Sequence, residues 1–126
     1  MQNNQYIEKA IRTATINFDS VSKRLSSNLI IDLLHGAIGI CTEGGELLDA
    51  LKKHIYYGKE LDKVNIIEEI GDVLWYIALI CNALGISLEE VMQKNIEKLQ
   101  IRYPEHFSEE NALFRNLEKE RNILER

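Results

Sequence analysis

A single proline, Pro104, occurs in this chain of 126 residues. Proline inside an α-helix costs about 3 kcal/mol, because its ring clashes with the preceding turn and it lacks an N–H donor. Apolar residues recur at three- and four-residue intervals through most of the chain, and no segment alternates apolar with polar residues as a half-buried strand does. The sequence therefore predicts an all-α protein, a helical bundle of four to five helices.

End signals place five helices along the chain. Gly58 and Gly85 each follow an apolar pattern, where glycine is a typical C-terminal cap. Ser87 and Glu90 have the spacing of a capping box, and Pro104 ends the helix that this box begins. The predicted helices cover about 4–17, 29–57, 64–84, 88–103 and 108–126, with a loop or an irregular turn of helix over 19–28.

Composition excludes several classes of protein. The formal net charge is −5, whereas a protein held to nucleic acid by general electrostatics is normally basic. The longest charge-free apolar stretch, 73–81, is far shorter than the roughly 20 residues that span a membrane. Cys41 and Cys81 are too few for a disulfide scaffold and fall on apolar stripes, which predicts core thiols. We expect one cytoplasmic domain, 1–126, that binds neither nucleic acid nor membrane.

Paired acids on the second predicted helix are the first sign of a binding site. Glu43 and Glu46 are three residues apart, so they are neighbours on one helix face, where like charges destabilise the helix. Gly44 and Gly45 lie between them, at a cost of up to about 1 kcal/mol each relative to alanine. Glycine leaves space beside the two acids, so a helix that loses stability in this way is expected to gain room for a ligand there. The other residues on the helix face of these two acids are small: Gly36, Gly39 and Ala50. The apolar stripe predicted as the core side of this helix consists of Leu33, Ala37, Ile40, Cys41, Leu48, Leu51 and Ile55.

The third predicted helix repeats the spacing of acids with Glu69 and Asp72. If the second and third helices pack antiparallel, four carboxylates converge. Oxygen donors with no histidine or cysteine nearby suit hard divalent cations. The sequence therefore predicts Mg²⁺ as cofactor, with Mn²⁺ as a substitute, bound by Glu43, Glu46, Glu69 and Asp72.

The fourth predicted helix supplies the opposite charge. Lys94, Lys98 and Arg102 follow one edge at four-residue spacing. Asn95 interrupts the apolar stripe, and a buried amide needs a polar partner. That partner is either a ligand phosphate, a water on the metal or a structural hydrogen bond. A lysine row taken alone is more often solvated surface.

Aromatic residues follow the acids of the third predicted helix. Trp75 and Tyr76 come directly after the acidic block. We expect both to pack in the core, with contact to a nucleobase as the alternative.

Four blocks in this order resemble the MazG-like family of the all-alpha nucleoside triphosphate pyrophosphatases. They are Glu-Gly-Gly-Glu at 43–46, Glu-Glu-Ile-Gly-Asp-Val-Leu-Trp-Tyr at 68–76, Lys-Asn-Ile-Glu-Lys at 94–98 and Arg-Tyr-Pro at 102–104. The resemblance covers about 29–107, the predicted motif-bearing core, and 108–126 is left as a C-terminal helix, a candidate for an oligomer interface. One departure is Gly44, where the family often has alanine.

The resemblance implies an enzyme that hydrolyses a (deoxy)nucleoside triphosphate to the monophosphate and pyrophosphate, by attack of water at the α-phosphorus with Mg²⁺. It implies that the four acids hold the metal. Glu46 is also a candidate general base, and Lys98 and Arg102 would neutralise the departing pyrophosphate. The predicted phosphate contacts are Asn95, Lys98 and Arg102, with Lys94 added from the basic row.

Two segments predict a homo-oligomer, a dimer or a tetramer. The third helix is apolar all round after Asp72, and such a helix must be covered on every side. The segment 111–124 adds another apolar surface on a charged helix. The resemblance points the same way, since MazG-like domains typically pair. The alternative function is a non-catalytic helical oligomerisation or metal-binding module, whose acids are solvated.

Overall fold

The computed structural model describes residues 3–126, so residues 1 and 2 of the predicted domain lie outside the described residues. Within that range the chain forms seven helices and no strand, which confirms the all-α prediction. The helices are α1 (Asn3–Ile11), α2 (Phe18–Leu25), α3 (Asn28–Tyr57), α4 (Lys63–Leu84), α5 (Leu88–Arg102), α6 (Glu109–Leu113) and α7 (Leu117–Leu124).

The predicted number of five helices is wrong, because two asparagines begin helices that the periodicity does not reveal. Asn17 accepts a hydrogen bond from the backbone N–H of Ser20 at 3.0 Å and begins α2, most of which lies in the segment predicted as a loop or an irregular turn of helix. Asn116 accepts one from Lys119 at 3.0 Å and begins α7, which divides the predicted C-terminal helix. Asparagine is among the strongest N-caps because its side chain satisfies an otherwise free N–H group.

The predicted ends of the long helices are confirmed. Gly58 and Gly85 take the left-handed conformation, with φ of 67° and 66°, directly after α3 and α4. Ser87 accepts a hydrogen bond from the N–H of Glu90 at 3.0 Å and begins α5. Helix α5 ends at Arg102, before Pro104, because proline disfavours helical backbone in the residue that precedes it.

Helices α3 and α4 form a long antiparallel hairpin held by two glycines. Gly36 lies against Ile80 and Gly39 against the ring of Tyr76, so contacts run in opposite order along the two helices. A Cβ at Gly36 would stand 2.5 Å from Ile80 Cγ1, and one at Gly39 would overlap the Tyr76 ring. The small row of α3 is therefore its face toward α4, and these two glycines serve helix packing rather than ligand space.

The bulky stripe of α3, predicted as its core, is largely exposed in the single chain. Leu48 is 67% and Ile55 65% exposed, and Cys41 is exposed as well. The core-thiol prediction holds for Cys81, which is buried, and is wrong for Cys41. The reason is that α4 occupies the glycine face, while α2 adds only a small further contact with α3.

A second packing unit joins α5 to α7 through a buried ion-pair network. Glu120 of α7 is 3% exposed and accepts hydrogen bonds from Arg102 at 3.0 and 2.5 Å and from Arg115 at 3.3 and 2.6 Å. The hydrogen bonds from Arg102 and then Arg115 lower the pKa of Glu120 to about 2. We call these three residues the arginine clamp.

We expect Glu120→Gln to lower the melting temperature at pH 7 by about 5 °C or more, because two guanidinium groups lose their counter-charge. The ordinary pKa of glutamate is 4.5, and in the fold that of Glu120 is about 2. A lowered carboxyl pKa stabilises the fold above about pH 4.5, and this stabilisation is lost as the pH falls toward 2. Thermal unfolding followed by circular dichroism should therefore show the difference from wild type shrinking over that range.

The control for this experiment is Glu118→Gln, which changes an exposed residue of the same helix. It should leave the melting temperature nearly unchanged at every pH. Equal effects of the two substitutions on the melting temperature would contradict the conclusion that the arginine clamp stabilises the fold.

In the part of the chain that the structure describes, no helix by itself has the length and apolar character of a membrane span. The helix pairs α2 with α3 and α4 with α5 have that length and apolar character only when both helices of a pair are counted together. The two pairs are bent by 87° and 98° respectively. The cytoplasmic location stays a prediction.

Candidate metal centre

The close approach of α3 and α4 brings three carboxylates together. One turn beyond Gly39, Glu43 of α3 faces Glu69 and Asp72 of α4, and one oxygen from each of the three lies within 4.8 Å of the others. Glu69 is only 6% exposed, Glu43 is half-buried and Asp72 is exposed. We call Glu43, Glu69 and Asp72 the acidic cluster.

Two polar side chains that sequence reasoning missed hold the acidic cluster in place. Asn65 donates a hydrogen bond from Nδ2 to Glu69 Oε1 at 2.6 Å. The hydroxyl of Thr42 donates to the carbonyl oxygen of Gly39 at 2.9 Å and also lies within hydrogen-bond distance of Glu43 Oε1, at 3.2 Å. The signal for Asn65 was its position four residues before Glu69, a spacing at which side chains meet on a helix.

The surroundings of Glu43 disfavour its ionised form. Loss of solvent raises the pKa of Glu43 first, and the adjacent carboxylates of Glu69 and Asp72 raise it further, against the hydrogen bond from Thr42. A divalent cation among the three carboxylates would relieve this repulsion. The donor set is oxygen only and Asp72 leaves one side open to solvent, which fits Mg²⁺ or Mn²⁺ keeping several waters.

Glu46, the fourth predicted metal ligand, lies outside the acidic cluster and is exposed. The reason is the antiparallel packing of the two helices. One turn forward along α3 corresponds to one turn back along α4, where Asn65 and Ile66 carry no carboxylate. The predicted cluster of four is therefore a cluster of three in this structure.

The basic row of α5 is largely engaged by α7 instead of being free for a phosphate. The guanidinium of Arg102 belongs to the arginine clamp. The ammonium of Lys94 lies 2.9 Å from Glu90 Oε1 and donates to the carbonyl oxygen of Leu124 at 3.2 Å. Both cations therefore fix the C-terminal helix, a role that the sequence analysis did not foresee.

Two residues of α5 stay available for a ligand. Lys98 is half-buried and forms no ion pair among residues 3–126. Asn95 is exposed, so the prediction that its amide sits in a buried stripe is wrong. Helix α5 bends away from α4 by 98° and has at most sparse contacts with the α3–α4 hairpin, so neither residue joins the acidic cluster within one chain. Their contact with phosphates stays a prediction.

A cavity of about 360 Å³ opens beside the acidic cluster, lined by Glu43, Asp72, Trp75 and Tyr76. Tyr76 is half-buried against Gly39, as expected for a packing residue. Trp75 is 57% exposed, so its predicted place in the core is wrong within the single chain. The cavity therefore joins two carboxylates to an exposed indole.

The segment that carries these features matches a known family. Residues 37–107 match the model of the MazG nucleotide pyrophosphohydrolase domain. This segment contains the acidic cluster, the glycine Gly39 and all of α5. The chain therefore belongs to the MazG family of nucleotide pyrophosphohydrolase domains.

Two relatives are similar over part of their length. Gene 37 protein of Mycobacterium phage L5 is 34% identical over 77 residues, which cover 56% of this chain and 65% of the phage protein. Uncharacterized protein YvdC of Bacillus subtilis (strain 168) is 48% identical over 41 residues, which cover 32% of this chain and 39% of that protein. The matches thus span less than two thirds of either relative. No solved structure was found to match the chain.

Proposed function

We propose that the protein is a Mg²⁺-dependent nucleoside triphosphate pyrophosphohydrolase, which cleaves its substrate to the monophosphate and pyrophosphate. The observation that carries this proposal is the acidic cluster, three mutually repelling carboxylates inside the segment that matches the family. Glu69 is nearly buried there, and Asn65 holds it by a short hydrogen bond. Burying and orienting repelling acids costs stability, which a bound cation would return.

The residues of the chain have distinct parts in this proposal. Glu43, Glu69 and Asp72 hold the metal, which would neutralise phosphate charge and lower the pKa of the attacking water. Asn65 and Thr42 fix the orientation of two of these carboxylates, so little reorganisation is needed when the substrate binds. Glu46, which lies outside the acidic cluster, is the candidate general base. Lys98 and Asn95 would contact the phosphates.

We further propose that the working form is a homo-oligomer in which a second copy covers the bulky stripe of α3. A compact monomer of 14.5 kDa exposes about 6,900 Å², whereas this chain exposes 10597 Å², about half as much again. An excess of that size is typical of an obligate interface, which buries a surface resembling half of a domain core. Leu48 and Ile55 lie on this surface.

Sedimentation velocity at micromolar concentration should show a dimer or a larger species. Leu48→Glu is expected to give monomer with little activity, because a charge on an apolar interface costs several kcal/mol to bury. Lys59→Glu, in the exposed loop after α3, introduces the same side chain away from the stripe and should leave the assembly intact. A wild-type species of 14.5 kDa with full activity would contradict the proposal.

The proposed activity is tested by incubating the protein with a panel of nucleoside triphosphates and Mg²⁺ and measuring pyrophosphate. Release of pyrophosphate from at least one of them is the expected result. Orthophosphate as the sole product would contradict attack at the α-phosphorus. Turnover of none of them would favour the alternative of a helical module without catalysis.

A further inference from the structure

We propose that Trp75 binds the nucleobase of the substrate by stacking, so that the cavity beside the acidic cluster selects phosphate compounds that carry an aromatic ring. This inference rests on the proposed function, because the acidic cluster must hold the phosphate end of the same molecule. Nothing in the family match assigns a role to Trp75.

The cavity has the two kinds of surface that a nucleotide needs. Glu43 and Asp72 line one part of it, and through a divalent cation they would bind the phosphates. Trp75 lines another part, and its indole offers a flat apolar surface on which any base can stack. Trp75 follows Asp72 by three residues, so the two side chains are neighbours on the surface of α4.

Trp75 lies nearer to the acidic side of α4 than to the side that carries Ile70. At 100° per residue, Trp75 lies about 60° around α4 from Asp72 but about 140° from Ile70, which belongs to the apolar side of that helix. The indole is 57% exposed beside the carboxylates that would hold the phosphates. A ligand with an aromatic ring supplies an explanation for its position.

The indole is also held in a fixed orientation. Tyr76 contacts Trp75 edge to face, with ring centroids 5.0 Å apart and planes at 89°. His35 of α3 adds a second edge contact at 6.2 Å and 66°. Tyr76 itself is wedged against Gly39. Because a preorganised ring loses little freedom on binding, this support favours Trp75 as a binding surface.

The test uses the fluorescence of the full-length protein, in which Trp75 is the single tryptophan. The probes are α,β-methylene analogues of the four common nucleoside triphosphates, which resist cleavage, and inorganic tripolyphosphate, all with Mg²⁺. The analogues should change the emission of Trp75 in a saturable way. Tripolyphosphate should bind, as measured by calorimetry, with little change in emission.

Two variants separate stacking from a structural role. Trp75→Ala should weaken binding of the analogues by about tenfold or more, while binding of tripolyphosphate stays within about twofold. Trp75→Phe keeps an aromatic face and should bind the analogues nearly as tightly as the wild type. Sedimentation velocity should give the same assembly for both variants.

The outcomes distinguish this inference from the proposed function. If the wild type binds neither probe, both fail. If tripolyphosphate and the analogues change the emission equally, or if Trp75→Ala binds the analogues as tightly as the wild type, only the role of Trp75 is overturned. If Trp75→Ala loses binding together with its assembly, Trp75 is an interface residue and the inference is overturned as well.

Discussion

Replacing a carboxylate of the acidic cluster by its amide is expected to reduce pyrophosphate release by at least about 100-fold. Loss of an outer partner of a metal ligand already costs about 10- to 100-fold, so loss of a ligand should exceed that range. Glu69→Gln is the most informative change, because Glu69 is the buried member of the cluster. The Glu69→Gln variant should fold without metal, because one source of like-charge repulsion disappears.

Thermal unfolding with and without Mg²⁺ separates loss of the site from loss of the fold. Mg²⁺ should raise the melting temperature of the wild type, because a ligand that binds only the folded state stabilises it. It should not raise that of Glu69→Gln. The matched control is Glu68→Gln, the exposed neighbour on α4, which should keep both the activity and the metal-induced shift. Full activity and a normal shift in Glu43→Gln would show that the metal centre is assigned wrongly.

Gly39→Ala and Gly44→Ala should have opposite effects on stability although both add one methyl group to α3. At Gly39 the new Cβ would overlap the ring of Tyr76, so we expect a loss of about 1–3 kcal/mol. Tyr76 supports the cavity and the α3–α4 contact positions the acids, so activity should fall as well. At Gly44 nothing lies within 4 Å of the new Cβ, and alanine should stabilise the helix by up to about 1 kcal/mol.

Urea unfolding at equilibrium measures both changes in the free energy of unfolding. Gly44→Ala should also keep its activity, since the resemblance to the family already allows alanine there. If Gly39→Ala unfolds at the same urea concentration as Gly44→Ala, the glycine contact does not set the distance between α3 and α4, and the account of how the acids meet is wrong.

Local signals in the sequence predicted the long helices and their ends. The caps at Gly58, Gly85 and Ser87 act within a few residues, and the structure has each of them where the sequence placed it. The same locality explains the three acids, since Glu43 and the pair of Glu69 and Asp72 meet as soon as α3 and α4 form an antiparallel hairpin.

The face that α3 turns toward α4 could not be predicted from hydrophobic size. Counting bulky residues assigned the core to the stripe containing Leu48 and Ile55, whereas the helices meet along Gly36 and Gly39. Small residues allow the close approach that brings carboxylate oxygens within reach of each other. The contact face of α3 can be recognised only once α4, with its Tyr76, is packed against it.

The arginine clamp was also beyond sequence reasoning. Arg102 and Glu120 are 18 residues apart and lie on different helices, so no helical spacing links them. The resemblance assigned Arg102 to the phosphates, and only the packing of α7 on α5 reveals its carboxylate partner. Long-range pairs of this kind depend on tertiary packing, which local periodicity does not encode.

The most direct measurement of the central claim follows an oxygen atom through the reaction. The wild-type protein is incubated with Mg²⁺ and a nucleoside triphosphate that it turns over, in water enriched in heavy oxygen. The masses of the products are then measured by mass spectrometry. The account predicts the heavy oxygen in the nucleoside monophosphate, unlabelled pyrophosphate, and no turnover when a chelator removes the metal. Heavy oxygen in the pyrophosphate, release of orthophosphate instead, or full turnover without metal would contradict it.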